Sequence, residues 1–319
     1  MTTYLWLMAA GSLAVFALYG MYCRNDAARP ALKRGAWQTA GLSLVLAAIF
    51  GVVLARVSYA LLMQELDFEY DGIAALEQLL WFDADHVCFV GGALGVVLGV
   101  LLANRIMSKE EAISGMDAFA PFGALLVALF RLGEGFFGSY GTGTILPEGS
   151  PFAFFPFALE IKVDGGYSYW GWAVFVLSAL FALIWAGIAF FGLRRQTRKG
   201  LVFSLTLFFL ALPQVLCESM RSRGMLWLFV HVEQLLCAVV LVGVLIFWII
   251  SARGGKSGFG KWLPLIIVLV CAGLVAATEF AIDGKLFDLS DGICYTFMIL
   301  VLAVIGLCGI IAFKRWKKE

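Results

Sequence analysis

Residues 114–143 read SGMDAFAPFGALLVALFRLGEGFFGSYGTG, and the rest of the chain is organised around them. The stretch begins as a lipid-soluble helix and ends by placing Arg131 and Glu134 at its far end. An arginine in a spanning helix costs about 2.5–3.5 kcal/mol at the bilayer centre, and less toward the interface. Three residues apart, Arg131 and Glu134 share a helix face and partly neutralise each other. Gly133, Gly135, Gly138, Gly141 and Gly143 follow closely and predict unwound backbone after the pair. Such backbone persists at membrane depth only where protein buries it or water reaches it. A cation, an anion and bare amides at one place describe a site for a charged headgroup. An Arg–Glu pair that only fastens two helices is the other reading.

Working outward, composition sets the class. Of 319 residues, 62% are hydrophobic and 14% charged, and the mean hydropathy is +0.94. A soluble protein carries about a quarter charged residues, so this is a polytopic membrane protein. The first apolar run has basic residues only after it, which fits a first span with its N-terminus outside, not a cleaved leader. Tyr22 before Cys23 is a poor match to a small-residue lipidation site. The seven cysteines are scattered, without a CxxC or a Cys/His cluster, and read as packing residues. No metal, cofactor or nucleic-acid partner is implied.

Apolar runs of about 20 residues are the unit to count. They predict nine spans near 4–22, 38–63, 87–103, 116–137, 168–192, 201–217, 226–250, 262–282 and 293–313. Lys and Arg mark every second connection: Arg24 to Arg34, Arg105 and Lys109, Arg194 to Lys199, Arg253 to Lys261, and the tail from Lys314. Between spans two and three lie Glu65, Asp67, Glu69, Asp71, Glu77, Asp83 and Asp85 with no basic residue. The positive-inside rule then predicts the N-terminus outside and the C-terminus in the cytoplasm. Two outer loops are long. Residues 64–86 predict an interfacial helix around 71–82. Residues 138–167 hold the aromatic patch PFAFFPFALEI, suited either to the headgroup level or to a lid.

Polar residues within the spans are few. Gly91, Gly95 and Gly99 form a small-residue stripe that predicts close helix packing. Arg56 and Tyr59 lie three apart in span two, Gln214 and Glu218 one turn apart in span six, with Arg221 and Arg223 beyond. His86 stands at the mouth of span three, and His231, Glu233 and Gln234 near the end of span seven. Arg56, His86, Arg131, Glu134, Glu218, Arg221 and His231 are all expected in the outer half. A single polar layer argues for one outward cavity and against a channel or transporter with a through-path.

These residues carry a family resemblance. Asp117, Ala120, Pro121, Ala128, Arg131 and Gly133, in the spacing D-x-x-A-P-x(6)-A-x-x-R-x-G, resemble the core of the prolipoprotein diacylglyceryl transferases. FVGGALGVVLGVLLANR (89–105) resembles that family's FHGG-type third helix, and ARVSYALL (55–62) its G-x-R-x-x-Y segment. Glu218-x-x-Arg221 resembles its E-x-x-R, and EQLLC (233–237) the GQxxS start of its seventh helix. The resemblance covers residues 1–250 as a seven-helix core with outer loops 64–86 and 138–167, leaving 251–319 as a two-helix appendage.

The resemblance implies a reaction in the bacterial cytoplasmic membrane. A diacylglyceryl group moves from phosphatidylglycerol to the cysteine thiol of a lipobox-bearing lipoprotein precursor. An arginine cluster would hold the phosphate, and a base would make the thiolate. Carried over by position, Arg56, Tyr59, Arg131, Gly133 and Arg221 would face the headgroup, with Glu218 orienting the arginines. Several positions depart from the family: Val90 stands for its HGG histidine, Glu134 and Phe137 for asparagines, Ser139 for a glutamate and Gln214 for an arginine. His86 or Glu134 would then be the base. The alternative is a paralogue without catalysis that binds, moves or senses an anionic lipid.

Overall fold

The computed structural model describes residues 2–26, 30–63, 87–107, 111–136, 141–163, 167–194, 198–222, 225–227, 230–252, 259–282 and 290–317. Among them the helices are α1 (Thr2–Asn25), a short α2 (Pro30–Lys33), α3 (Ala36–Leu62), α4 (Phe89–Met107) and α5 (Ala112–Gly133). After two strands, β1 (Ala158–Val163) and β2 (Tyr167–Trp172), come α6 (Val174–Leu193) and α7 (Leu201–Ser219). The short strands β3 (Leu226–Trp227) and β4 (Val230–His231) precede α8 (Val232–Ser251), α9 (Phe259–Ile282) and α10 (Asp291–Lys317). All but α2 are long and apolar enough to cross a membrane, which makes nine spans in the predicted order among the described residues. The chain is thus an all-α multi-pass membrane protein.

Two predicted spans start too early. Span five was expected from residue 168, yet 167–172 form β2 and the helix begins at Val174. Span seven was expected from 226, yet Leu226 and Trp227 pair with His231 and Val230 in a hairpin, and the helix begins at Val232. Counting apolar residues does not distinguish a helix from a half-buried strand, and YSYWGW is rich in the aromatic residues that strands favour. The expected interfacial helix around 71–82, with the acidic run from Glu65 to Asp85, lies outside the described residues.

The chain divides into two compact units. The first comprises Met1–Gly141 and Ala182–Phe203, the second Thr142–Phe181 and Ser204–Glu319.

In the first unit the glycine stripe decides the packing. A Cβ on Gly95 would lie 2.2 Å from the carbonyl oxygen of Phe50, and one on Gly99 2.5 Å from the amide of Ala47. These contacts let the backbones of α3 and α4 touch. Lipid tails are as apolar as leucine, so close van der Waals packing holds spans together in place of a hydrophobic drive. On the opposite wall Phe16 and Tyr19 of α1 pack their rings on Phe119 of α5, at centroid distances of 5.5 and 5.4 Å. Outward faces stay apolar: Ile49, Val52 and Val53 of α3 are about half exposed, as a lipid-facing stripe requires.

This unit carries a polar group that a single outer layer did not anticipate. Asp117, fully buried, accepts the amide protons of Gly200 (2.6 Å) and Phe203 (2.8 Å) with its two carboxylate oxygens. It thereby satisfies otherwise orphaned donors at the start of α7. Nearby, the Tyr19 hydroxyl donates to Asn104 Oδ1 at 3.2 Å, and Gly115 leaves room for that amide. Asp117 precedes Arg131 by fourteen positions, so the two lie about 21 Å apart along α5. Polar groups therefore occupy both ends of this helix.

In the second unit a small sheet stands beside the helices. β1 and β2 pair antiparallel from Ala158↔Trp172 to Val163↔Tyr167. Gly143 and Leu146 donate to the carbonyls of Trp172 and Trp170, both at 2.7 Å. Gly143 also bridges to Arg221, and the Ser222 amide donates to Thr142. Only glycine fits at 143, because a Cβ would lie 2.4 Å from the Met220 carbonyl oxygen. The helices beyond residue 250 pack firmly in the same unit. A Cβ on Gly309 of α10 would sit 2.4 Å from the Phe208 ring, and Trp248 of α8 meets Phe313 at 5.4 Å.

Candidate functional site

Arg131 is 1% exposed near the C-terminal end of α5. Its guanidinium lies 3.6 Å over the ring of Phe89, the first residue of α4. Its Nη1 donates to Glu134 Oε1 at 2.5 Å, an ion pair whose acid is 19% exposed against 1% for the base. A desolvated cation–π contact is worth about 2 kcal/mol. Together with the ion pair, it offsets an insertion cost of the same size near a span end. The arginine is thus held by a ring on one side and a carboxylate on the other, which fixes the direction of its fork.

Gly133 plays a different part from the one expected, and Gly138 lies outside the described residues. Gly133 is helical, and a Cβ there would meet Tyr4 at 2.8 Å and the Met8 sulfur at 2.9 Å. It brings α1 against the Arg131 turn. Residues 134–136 continue as a 3-10 turn, and the next described residues, from Gly141, are irregular, with a bridge at Gly143. Phe137 and Ser139 lie outside the described residues, as does His86.

Arg56 joins this end of the unit. It is 4% exposed and lies over the Tyr59 ring at 5.6 Å, as their spacing of three suggests. Ala55, the residue before it, accepts the amide proton of Cys88 at 3.0 Å, which ties Arg56's turn to Phe89. Val90 is buried in α4 and presents an aliphatic side chain there.

The second unit holds the other predicted residues. Glu218 is 2% exposed at the end of α7; its Oε1 forms an ion pair with Arg221, 3.1 Å from Nε, and accepts a hydrogen bond from Gln214 Nε2. The bridge to Gly143 pins the Arg221 backbone, while the carboxylate aims its side chain. His231 is the N-cap residue of α8, partly exposed, and its Nδ1 finds no partner among the described residues. Arg223 lies outside the described residues. Phe152, Phe154, Phe155 and Phe157 are each close to half exposed or more, consistent with an aromatic loop at the headgroup level.

Two residues that matter here carried little signal. Phe89 was visible only as the first residue of the FVGG segment, because nothing in a sequence says which ring an arginine will cover. Glu279, a lone acid inside an otherwise apolar α9, was the more legible omission: a carboxylate at that depth is a site candidate by default. Gln234 Nε2 donates to its Oε1 at 2.7 Å, which joins α9 to α8.

The buried guanidiniums of Arg131 and Arg221, each paired with a carboxylate, suit an anionic oxygen group such as a phosphate diester. No curated protein matches the chain. A model of the family described as prolipoprotein diacylglyceryl transferase matches residues 2–250, and the chain belongs to that family.

Proposed function

We propose that this protein transfers the diacylglyceryl group of phosphatidylglycerol to the cysteine thiol of lipobox-bearing lipoprotein precursors. The work is done at the outer face of a bacterial cytoplasmic membrane. The observation that carries the reading is the family match over 2–250, with Arg131 buried in a span and aimed by a carboxylate. Family membership supports diacylglyceryl transfer in general; the donor lipid and the roles of single residues are our reading. We take 1–250 as the transferase core and 251–319 as a two-helix addition to it. The alternation of basic and acidic connections supports the N-terminus outside and the C-terminus in the cytoplasm.

In this reading Arg131 grips the phosphate of the donor in two-point geometry, and Arg221 is assigned to the headgroup by its place in the E-x-x-R motif alone. Arg56, with Tyr59, and the close-packed turn at Gly133 complete the headgroup side. Glu218 is a positioning residue, since its Oε1 is already shared by Arg221 and Gln214. The thiolate sulfur of the precursor attacks the glyceryl carbon that bears the phosphate ester. A C–S bond forms, a C–O bond breaks, and glycerol phosphate leaves with the electron pair. The thiol proton passes to a base, for which His86 and Glu134 are the candidates. Glu134 must release Arg131 to serve, so a phosphate arriving at Arg131 would free it.

A second reading has specific support. Val90 is buried where the family's histidine would stand, and Glu134 and Glu218 both make ion pairs. These features suit a protein that binds, moves or senses an anionic lipid without chemistry. Expression in a bacterium depleted of its own transferase separates the two. Restored growth and lipid-modified precursors are expected. No rescue at a normal membrane level of the protein, with phosphatidylglycerol still copurifying, would leave the lipid-binding reading in its place.

A further inference from the structure

A second cluster of buried polar groups lies where the helices beyond residue 250 meet the family core, all within the second unit. Glu279 of α9 is 6% exposed and accepts Gln234 Nε2 at 2.7 Å. A carboxylate accepts, so the amide must turn its NH2 to it and its carbonyl away. That carbonyl, Gln234 Oε1, belongs to a residue 3% exposed and has no donor among the described residues. Tyr295 of α10, within electrostatic reach of Glu279, donates its hydroxyl to the Ser219 carbonyl at 3.4 Å. The Ser219 hydroxyl, in a residue 6% exposed, also has no partner among the described residues. Ser219 follows Glu218 directly and lies two residues before Arg221.

A pair that merely fastened α8 to α9 would leave nothing over. Here an amide carbonyl and a hydroxyl stand unpartnered at membrane depth, where such atoms are costly. A carboxylate and an amide carbonyl form a set that accepts hydrogen bonds, and Tyr295 relates it to Ser219, two residues before the cation Arg221. We infer that Glu279 and Gln234 form an acceptor subsite for the hydrogen-bond-donating end of a phospholipid headgroup whose phosphate Arg221 faces. The added helices thus set headgroup specificity. The inference rests on the lipid-site reading above and adds residues to it. Hydroxyls of a glycerol and an ammonium share this donor chemistry, and the test separates them.

The test uses the full chain, purified and equilibrated with lipids of matched acyl chains, the bound lipid being counted by native mass spectrometry. Phosphatidylglycerol competes with phosphatidylmethanol, which has the same charge but no donor; phosphatidylethanolamine competes with phosphatidylcholine in the same way. Retention of the donor lipid about tenfold above its partner is expected, the size of one hydrogen bond to a charged group. A preference confined to the first pair identifies hydroxyls, and one confined to the second an ammonium. Glu279→Leu should bring the ratio close to one without reducing total anionic lipid. Gln234→Met, which leaves Glu279 in place, should lower the ratio in the same direction and serves if Glu279→Leu does not fold. Equal retention in both pairs, as expected if water alone fills the cluster, overturns the inference, and so does an unchanged ratio in the variants. Discrimination without diacylglyceryl transfer would instead remove the transferase reading and leave this subsite standing.

Discussion

The two compact units hold an arginine by different means. In the first, Arg131 lies between the Phe89 ring and Glu134, on helices that glycine has let come together. Its surroundings are backbone and ring, and they give little. In the second, Arg221 hangs from a strand bridge at Gly143 and is aimed by Glu218, which Gln214 also holds. Its surroundings are an ion pair and the hydrogen bond that holds the acid. A cation supported by ring and close-packed helix tolerates the loss of its acid; one supported by a buried carboxylate does not. The difference also says where specificity can change: a hydrogen-bond network is re-drawn by one substitution, whereas a glycine-packed wall is not.

Four substitutions try this comparison, beginning with the largest effect. Glu218→Leu leaves the Arg221 guanidinium and the Gln214 amide buried together without their acceptor. Breaking a buried pair from one side costs about 3–5 kcal/mol. Glu134→Leu, at a partly exposed acid with Arg131 still stacked, should cost about 1 kcal/mol. Chemical or thermal unfolding in detergent measures both. Equal losses would erase the distinction between the units.

Gly95→Ala comes next. The new Cβ would press on the Phe50 carbonyl, which is backbone and cannot swing aside. Overpacking of this kind costs about 1–3 kcal/mol, read as a lower Tm. No change in Tm would mean that α3 and α4 are not in backbone contact. The smallest effect is expected at Gly243 of α8, where a Cβ meets nothing within 4 Å. Gly243→Ala should be neutral or stabilising by about 0.5–1 kcal/mol, the helical advantage of alanine. A marked loss there would show that Gly243 makes a close contact, as Gly143 and Gly309 do.

The first unit was the more legible from sequence because its determinants are periodic. Gly91, Gly95 and Gly99 declare a packing face by spacing alone, and Arg131 and Glu134 declare a pair by standing three apart. Arg56 with Tyr59 follows the same rule. The second unit depends on contacts between distant residues, and those leave no period. Arg221 with Gly143, and Gln234 with Glu279, are separated by dozens of positions. Apolar counting also took the strand at 167–172 and the hairpin at 226–231 into spans, since buried strands and helices are equally greasy. Asp117 was recognised only as part of a motif. Its role as acceptor for the start of α7 required knowing which helix end would arrive there.

Whether Arg131 clamps a lipid phosphate during transfer is answered most directly by one substitution. Arg131→Lys keeps the charge but cannot make the planar two-point contact. The purified full chain, in nanodiscs of phosphatidylglycerol, is given a lipobox peptide, and the diacylglyceryl mass on its cysteine is followed over time. A phosphate clamp requires transfer by the parent protein and a rate about 10- to 100-fold lower for Arg131→Lys at equal folded yield, the loss of a charge-assisted hydrogen bond. Transfer by Arg131→Lys at the parent rate would contradict it and make Arg131 a helix fastener.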